Sequence, residues 1–303
     1  MLEVKRLRLL WELSRRGTIA AVAEALNYSP SAVSQQLQQL EREIGSSLFR
    51  RVGRTLELTA AAEALADETE TLLASLESAE ASYFRALGEV SGTARIAVFQ
   101  TAVLALMPQV LRRLRTEYPS LRVEMVQYEP ETALRETWGR NFDLVIAEQY
   151  PNHAAPHFAG LDREPLTEDP ITLAVPPNSA HVSDVDAPFQ RVRTLVDAAE
   201  LPWVMEPVGA ASRHWAEQLC RQAGFEPDVR FETADLQAHV RLIESGNAVG
   251  LLPGLIQASR LRLVTLDGDP HRQIFTAARQ SSAELPAVQT IRRVLTEVTA
   301  DLL

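Results

Sequence analysis

The residues of this 303-residue chain whose types and spacing could do chemistry are hydrogen-bonding groups, not a catalytic set. No GxSxG, Walker A, GxGxxG or HExxH pattern occurs, so neither a catalytic residue nor a cofactor is expected. His153 and His157 stand four apart, but Pro156 between them breaks the helix that would align them on a metal, and no metal is expected. Gly246-Asn247-Ala248-Val249-Gly250 has the look of a phosphate loop, yet its glycines read as the end of a helix and the start of a buried strand. What remains is one polar helical face. Ser31, Ser34, Gln35, Gln38 and Arg42 fall opposite an apolar stripe of Val33, Leu37, Leu40 and Ile44. Short hydroxyls and amides, almost free of acids, suit hydrogen bonds to base edges and phosphates in a DNA major groove, and glutamine can pair bidentately with adenine. A plain solvated helix face would have the same composition.

The elements around that face argue for the first use. Val4, Leu7, Leu10 and Trp11 make the stripe of a first helix, and Thr18 caps a second with Ile19, Val22, Ala23 and Leu26. Asn27-Tyr28-Ser29-Pro30 then forms a tight turn: Asn tolerates left-handed backbone, Ser29 caps and Pro30 opens the third helix. Residues 48–59 read as a hairpin, with Arg51 and Arg54 beside its Gly-containing turn where they could reach a neighbouring phosphate backbone or serve only solubility. Charge divides in the same way. The net charge is −10, but residues 1–59 hold nine bases and six acids, so a mildly basic head sits on an acidic body.

The stretch AVAEALNYSPSAVSQQLQQLEREIGSSLFRRVGRTLELTAAAEAL resembles the N-terminal domain of the LysR-type transcriptional regulators, a bacterial DNA-binding family. Ala23, Leu26, Ser29, Ala32, Val33, Ser34, Leu40, Glu41, Gly45, Leu48, Phe49, Arg51, Arg54, Leu58 and Thr59 carry the likeness. It implies a winged helix-turn-helix over 1–59 that binds double-stranded operator DNA, with Ser29, Ser31, Ser34, Gln35, Gln36, Gln38, Arg51 and Arg54 as the candidate DNA-binding residues. The chain departs from the family in three places: Pro30-Ser31 stands where Gln-Pro is usual, Gln35 where Arg is frequent, and Ala62 where Gly is usual. The operator sequence therefore does not carry over.

Residues 60–88 contain no proline and, before Gly88, no glycine, so they predict one helix reaching roughly 40 Å at 1.5 Å per residue. Leu65, Leu72, Leu76, Ala79, Tyr83 and Leu87 form a coiled-coil-like seam along it. The resemblance implies that residues 60–91 link and dimerise, through Leu65, Leu72, Leu76, Ala79 and Tyr83, into a homodimer or homotetramer. An amphipathic helix packed on its own chain is the alternative.

From Thr93 the pattern alternates. Strands at 94–99, 121–127 and 142–147 enclose helices at 101–117 and 130–138, a βαβαβ order that predicts a parallel sheet. Strands at 171–175, 203–205, 229–232 and 248–252 with helices at 210–223 and 236–244 form a second such unit, before a strand at 274–278 and a helix at 285–302 return to the first. The expected fold class is α/β overall: an all-α winged helix-turn-helix, a long linker helix, and a two-lobed sensor over 92–303. Lobe I would take about 92–164 and 265–303, and lobe II about 165–264. This body resembles the family's regulatory domain, akin to periplasmic binding proteins, which implies a small-molecule effector in the cleft. Ligands of open α/β sheets sit beyond the strand ends, so the candidate effector residues are Gln100, Thr101, Ala102, Glu129, Glu148, Glu206, Gly209 and Ser212. Thr101 and Ser212 could instead simply cap their helices. The three glutamates at strand ends favour a cationic or amino-bearing effector over a carboxylate.

Composition adds the compartment. The first residues mix charge with apolar side chains and lack a signal-peptide core, no run approaches the roughly 18 apolar residues of a membrane span, and the single Cys220 allows no internal disulfide. A cytoplasmic regulator with no membrane partner is expected, with RNA polymerase as a further candidate partner. A secreted solute-binding protein would lack the first sixty residues, and a sequence-blind DNA binder would need a stronger positive charge.

Overall fold

The computed structural model describes residues 2–52, 55–178 and 187–302. Two compact units are present: residues 1–89 with 280–286, and residues 90–279 with 287–303.

In the smaller unit α1 (Val4–Arg16), α2 (Ile19–Ala25) and α3 (Pro30–Ile44) precede a hairpin of β1 (Phe49–Val52) and β2 (Thr55–Leu58), followed by α4 (Ala60–Leu87). Local chemistry sets each boundary. Thr18 Oγ1 accepts from Ala21 N at 3.1 Å and Ser29 Oγ from Ala32 N at 3.2 Å, while Asn27 takes the left-handed backbone (φ 56°) between α2 and α3. Leu7, Leu10, Leu13, Val22, Val33, Leu37, Leu40 and Leu48 form one core, closed by Ala62 and Ala66 of α4. Val4, expected in the first stripe, is exposed, and Leu9 and Leu13 are buried instead. Thr59 caps α4 through Ala62 N at 3.2 Å, and left-handed Gly88 ends it.

Helix α4 has two apolar faces. Ala62, Ala66, Thr69 and Leu73 are buried, the first two against the head core. Leu72, Leu76, Tyr83 and Leu87, on the other, are 39%, 43%, 63% and 53% exposed. One stretch of helix thus supports its own head and still offers a long apolar stripe.

The larger unit is built on a seven-stranded sheet in the order β10-β6-β11-β5-β3-β4, with β9 also paired to β6. These strands are β3 (Gly92–Val98), β4 (Leu121–Gln127), β5 (Leu144–Gln149), β6 (Glu164–Val175), β9 (Gly250–Pro253), β10 (Arg262–Thr265) and β11 (His271–Ala277). A separate parallel pair, β7 (Pro202–Met205) and β8 (Asp228–Glu232), is tied to β9 by a bridge between Trp203 and Val249. Helices α5 (Gln100–Ala105), α6 (Met107–Glu117), α7 (Pro130–Trp138), α8 (Ala187–Arg191), α9 (Ala211–Gln222), α10 (Leu236–Glu244) and α11 (Pro286–Leu302) complete it.

Three sequence expectations are corrected. The parallel order holds for β3 with β4 and β5 and for β7 with β8, but the second unit is not of the same kind throughout, since β9 runs antiparallel to β6, and the returning β11 is antiparallel to β5 and β6. The helix expected over 101–117 is two, because Pro108 has no N–H for the turn before it and opens α6. The strand expected at 171–175 is the end of a 12-residue strand, β6, whose first half pairs with β11 and whose second half pairs with β9 and β10. Pro165 and Pro170 hide that continuity in the sequence. Pro170 needs no donor here, and its carbonyl accepts from Gly254 N at 2.8 Å.

Beside that contact, a Cβ on Gly254 would lie 2.8 Å from Asp169 Oδ1. Asp169 is fully buried and already receives Leu255 N at 3.0 Å, so it cannot retreat without losing that bond. Gly254→Ala is expected to cost about 1–3 kcal/mol by overpacking, read as a lower urea midpoint of the full chain at an unchanged slope.

Candidate nucleic-acid interface and ligand pocket

On α3 the buried side is Val33, Leu37 and Leu40, which turns Ser31, Gln35, Gln38 and Arg42 outward. Ser34 is half-buried. Ser29 and Ser31 share a hydroxyl contact at 3.0 Å at the start of the helix. Gln36 differs from its neighbours: its carbonyl oxygen accepts from Arg6 Nε at 3.1 Å, so it braces α1 against α3. Arg6 also holds Glu43 at 2.7 Å, neutralising one of the few acids near this face. Arg51 lies in β1 opposite Leu56, and its side chain and all of Arg54 fall outside the described residues.

The second cluster is in the larger unit, around Arg272 of β11. Its guanidinium is 1% exposed and makes four hydrogen bonds: Nε and Nη2 to Asp169 Oδ2 at 2.8 and 2.6 Å, Nη2 to Thr101 Oγ1 at 2.6 Å, and Nη1 to Glu148. The Phe99 ring lies against it, 5.2 Å from the centroid. Burial opposes its charge, but Glu148 and Asp169 hold the proton on more firmly than usual. Tyr150 donates to Glu148 at 3.2 Å, and its own hydroxyl is held well above the usual phenol range by burial and by that carboxylate.

Next to this network is a small cavity of about 30 Å³, lined among others by Tyr150, Glu206, Ser212, Arg213, Trp215 and His239. Ser212 donates to Glu206, and Arg213 Nη1 donates to the Glu206 carbonyl at 3.2 Å. Burial pushes the Glu206 carboxyl up to about 7, with Glu129 and Glu148 adding to the effect. Glu129, at the start of α7, is itself raised by burial and by Glu131. His239 is buried and donates from Nε2 to the Thr233 carbonyl at 2.8 Å, with its affinity for a second proton lowered by burial.

Of the effector candidates read from sequence, Glu206 and Ser212 line this cavity, and Glu148 and Thr101 belong to the Arg272 network. Neither Thr101 nor Ser212 is a helix cap: Phe99 and Ala210 hold those positions, and both hydroxyls are engaged by charged side chains. Ala102 is fully enclosed. Gly209 is exposed in a turn with φ 102°, closed by Ala210 N on the Pro207 carbonyl at 3.1 Å. Gln100 reaches across to α10, donating to Asp235 Oδ1 at 2.9 Å and accepting from Leu236 N at 3.0 Å. Sequence reasoning missed Arg272, Asp169, Tyr150 and His239. Arg272, Asp169 and His239 lie inside strands or helices, and Tyr150 just past β5 was passed over beside Glu148. A larger groove of about 290 Å³ over β6 and β11 contains none of the candidates, and its Arg163 is turned onto Phe275 and the Ala155 carbonyl. His153 packs against His214 with ring centroids 5.2 Å apart, and among the described residues no group of three His, Cys, Asp or Glu could hold a metal.

Comparison with known proteins covers both units. Residues 4–63 match the bacterial regulatory helix-turn-helix domain of the lysR family, and residues 87–300 match the LysR substrate binding domain. Among curated relatives, the transcriptional dual regulator GltC of Bacillus subtilis is 28% identical over 254 residues, 83% of this chain and 81% of that one. The transcriptional activator IlvY of Salmonella typhimurium is 26% identical over 305 residues, 97% and 99% of the two chains. Full-length OxyR from Pseudomonas aeruginosa, solved as a cysteine-to-aspartate variant, has a similar fold, with a TM-score of 0.63 at 16% identity over 97% of this chain and 95% of that one. CbnR bound to its target DNA gives 0.53 at 20%, over 98% and 100%. No helix among the described residues is long and apolar enough to cross a membrane.

The raised Glu206 carboxyl has a sign that can be measured. A carboxyl whose folded value lies above its unfolded one leaves the protein most stable while protonated, and the folded state loses ground as pH rises from about 4.5 towards about 7. Glu206→Gln removes that penalty. The variant is expected to match wild type at about pH 5 and to melt higher at about pH 8, by about 2–4 °C for each kcal/mol recovered. Equal melting shifts at the two pH values would show that Glu206 ionises normally.

Proposed function

This chain belongs to the LysR family of transcriptional regulators, DNA-binding proteins with an effector-binding domain, and from that premise we propose how its own residues divide the work. Residues 1–59 form the winged helix-turn-helix that reads operator DNA, 60–91 the linker that dimerises, and 92–303 the effector-binding domain. The observation that carries the reading is the outward face of α3, where Gln35 and Gln38 are exposed and make no side-chain hydrogen bond among the described residues. Ser31 and Ser34 flank them, while Gln36, spent on Arg6, positions the helix.

The exposed stripe of Leu72, Leu76, Ala79 and Tyr83 supports pairing of α4 with a second copy, since an apolar seam of that length costs free energy when left in water. Leu65, partly packed on its own head core, starts the stripe. A homodimer placing two recognition helices on successive turns of DNA would read a dyad operator, as a complex with target DNA has been solved for the structurally similar CbnR. The effector occupies the region around Glu206, Ser212 and Glu148, and acts by binding one arrangement of the domain better than another. The protein so read is cytoplasmic and has no catalytic activity of its own.

Gln35→Ala and Gln38→Ala are each expected to weaken binding to the cognate operator by about 1–3 kcal/mol while leaving scrambled DNA unaffected. Arg51→Ala and Arg54→Ala should weaken binding to every duplex and lower the salt slope by about 1. Fluorescence anisotropy on fragments selected from the source genome reads both effects. Wild-type affinity equal for cognate and scrambled duplexes would sink the assignment.

A further inference from the structure

The polar groups around the cavity beside Arg272 are unequally satisfied, and the imbalance has a sign. Both nearby cations are spent. Arg272 makes four hydrogen bonds to Asp169, Glu148 and Thr101, and Arg213 binds Glu217 at 2.5 Å, the Glu206 carbonyl at 3.2 Å and Glu232 at 3.6 Å. An incoming anion would find no free guanidinium. Acceptors, by contrast, are left over. With its Nε2 proton given to Thr233, His239 carries a bare lone pair on Nδ1, which is buried and has no hydrogen-bond partner among the described residues. The Glu206 carboxylate receives one side-chain donor among the described residues, Ser212.

Charge and shape agree with that count. Glu129, Glu148, Glu206 and Asp169 outnumber Arg272 and Arg213, and the first two raise the proton affinity of Glu206. Two aromatic walls, Tyr150 and Trp215, line the cavity with ring centroids 5.7 Å apart, and their faces attract cations. The cavity, at about 30 Å³, has room for a group the size of a water molecule or an ammonium head.

We propose that this cavity takes the ammonium head of a small amine, which donates N–H bonds to the Glu206 carboxylate and His239 Nδ1 and lies against Tyr150 and Trp215. The proposal rests on the reading of this region as the effector site and names the chemical class of the effector. Binding carries a proton signature. The groups facing Glu206 are Ser212 and Arg213 of α9, Glu148, Tyr150 and Arg272 of the central strands and their ends, Glu129 before α7, and His239 of α10. None but the incoming cation can newly compensate the Glu206 charge, so an ammonium ion drives off its proton, whereas an anion would hold that proton in place.

The test is calorimetric titration of the full-length chain with methylammonium, propylammonium and butyrate. It is run in two amine-free buffers of different ionisation heat, alongside operator anisotropy. Propylammonium is expected to bind with release of part of a proton near pH 7, more tightly as pH rises towards about 8, and butyrate not to bind. Glu206→Gln, whose folding is checked by its melting curve, should bind propylammonium about ten- to a hundred-fold more weakly and release no proton. Butyrate binding with proton uptake, an unchanged propylammonium affinity in Glu206→Gln, or no heat with either amine overturns the proposal. The two readings fail separately. Amine binding with the expected proton release but no change in operator affinity upholds the ligand class and rejects the effector role. An operator response to butyrate but not to amines does the reverse.

Discussion

The larger unit is organised around one buried guanidinium. Arg272 comes from β11 and is shared among Glu148 of β5, Asp169 of β6 and Thr101 of α5, while the other oxygen of Asp169 takes the Leu255 amide just past β9. Five segments, distant in sequence, are thereby set in register by groups that cannot be left unpaired. Removing one partner of a buried ion pair costs about 3–5 kcal/mol because the other keeps its charge without water. The close fit of Gly254 against Asp169 follows from the same demand: the backbone must come near enough for an amide to reach the carboxylate. Long-range contacts such as 101 to 272 are expensive in chain entropy, so the network can form only as the sheet around it does.

The same saturation decides what the neighbouring cavity can bind. A free arginine would have made the site anion-seeking. Here the arginines are consumed within the protein and the opening of α10 is covered by Gln100 and Asp235, while α9 opens at Ala210 without a side-chain cap. Among side chains, what is left to a ligand is a carboxylate, an imidazole lone pair and two aromatic faces. Selectivity in such a site comes from the cost of stranding a buried acceptor opposite a ligand that cannot donate.

Legibility from sequence divided along physical lines. The head was readable because its signals are local: Thr18, Ser29 and Thr59 cap the helices they precede, and Asn27 turns left-handed where the interhelical turn requires it. Periodicity also exposed the α4 seam, but not that a second face of the same helix, through Ala62 and Ala66, closes the head core. In the larger unit the strands other than β10 and the first half of β6 were found, and so was the parallel order of β3, β4 and β5, but the antiparallel pairing of β11 was not, since it depends on partners more than a hundred residues away. Glu206 and Ser212 could be named because they follow the strand end at Met205, whereas Arg272 and Asp169 sit within strands, where a charged residue ordinarily marks a solvent-facing position. Their burial is a property of pairing, and pairing is invisible until the fold is known.

These facts constrain how a ligand could act. The cavity, at about 30 Å³, has room only for the head of a ligand, and the rest of a larger molecule must lie outside it. Gln100 ties α5 to α10 beside the cavity, its amide donating to Asp235 and accepting from Leu236. A ligand shifts the domain only if it compensates the Glu206 charge better in an arrangement that lacks those two bonds than in the one that has them. That difference is the whole of what a ligand can contribute to a conformational equilibrium. A bound amine would therefore break or keep the Gln100 bridge according to which arrangement gave the buried carboxylate the better partner.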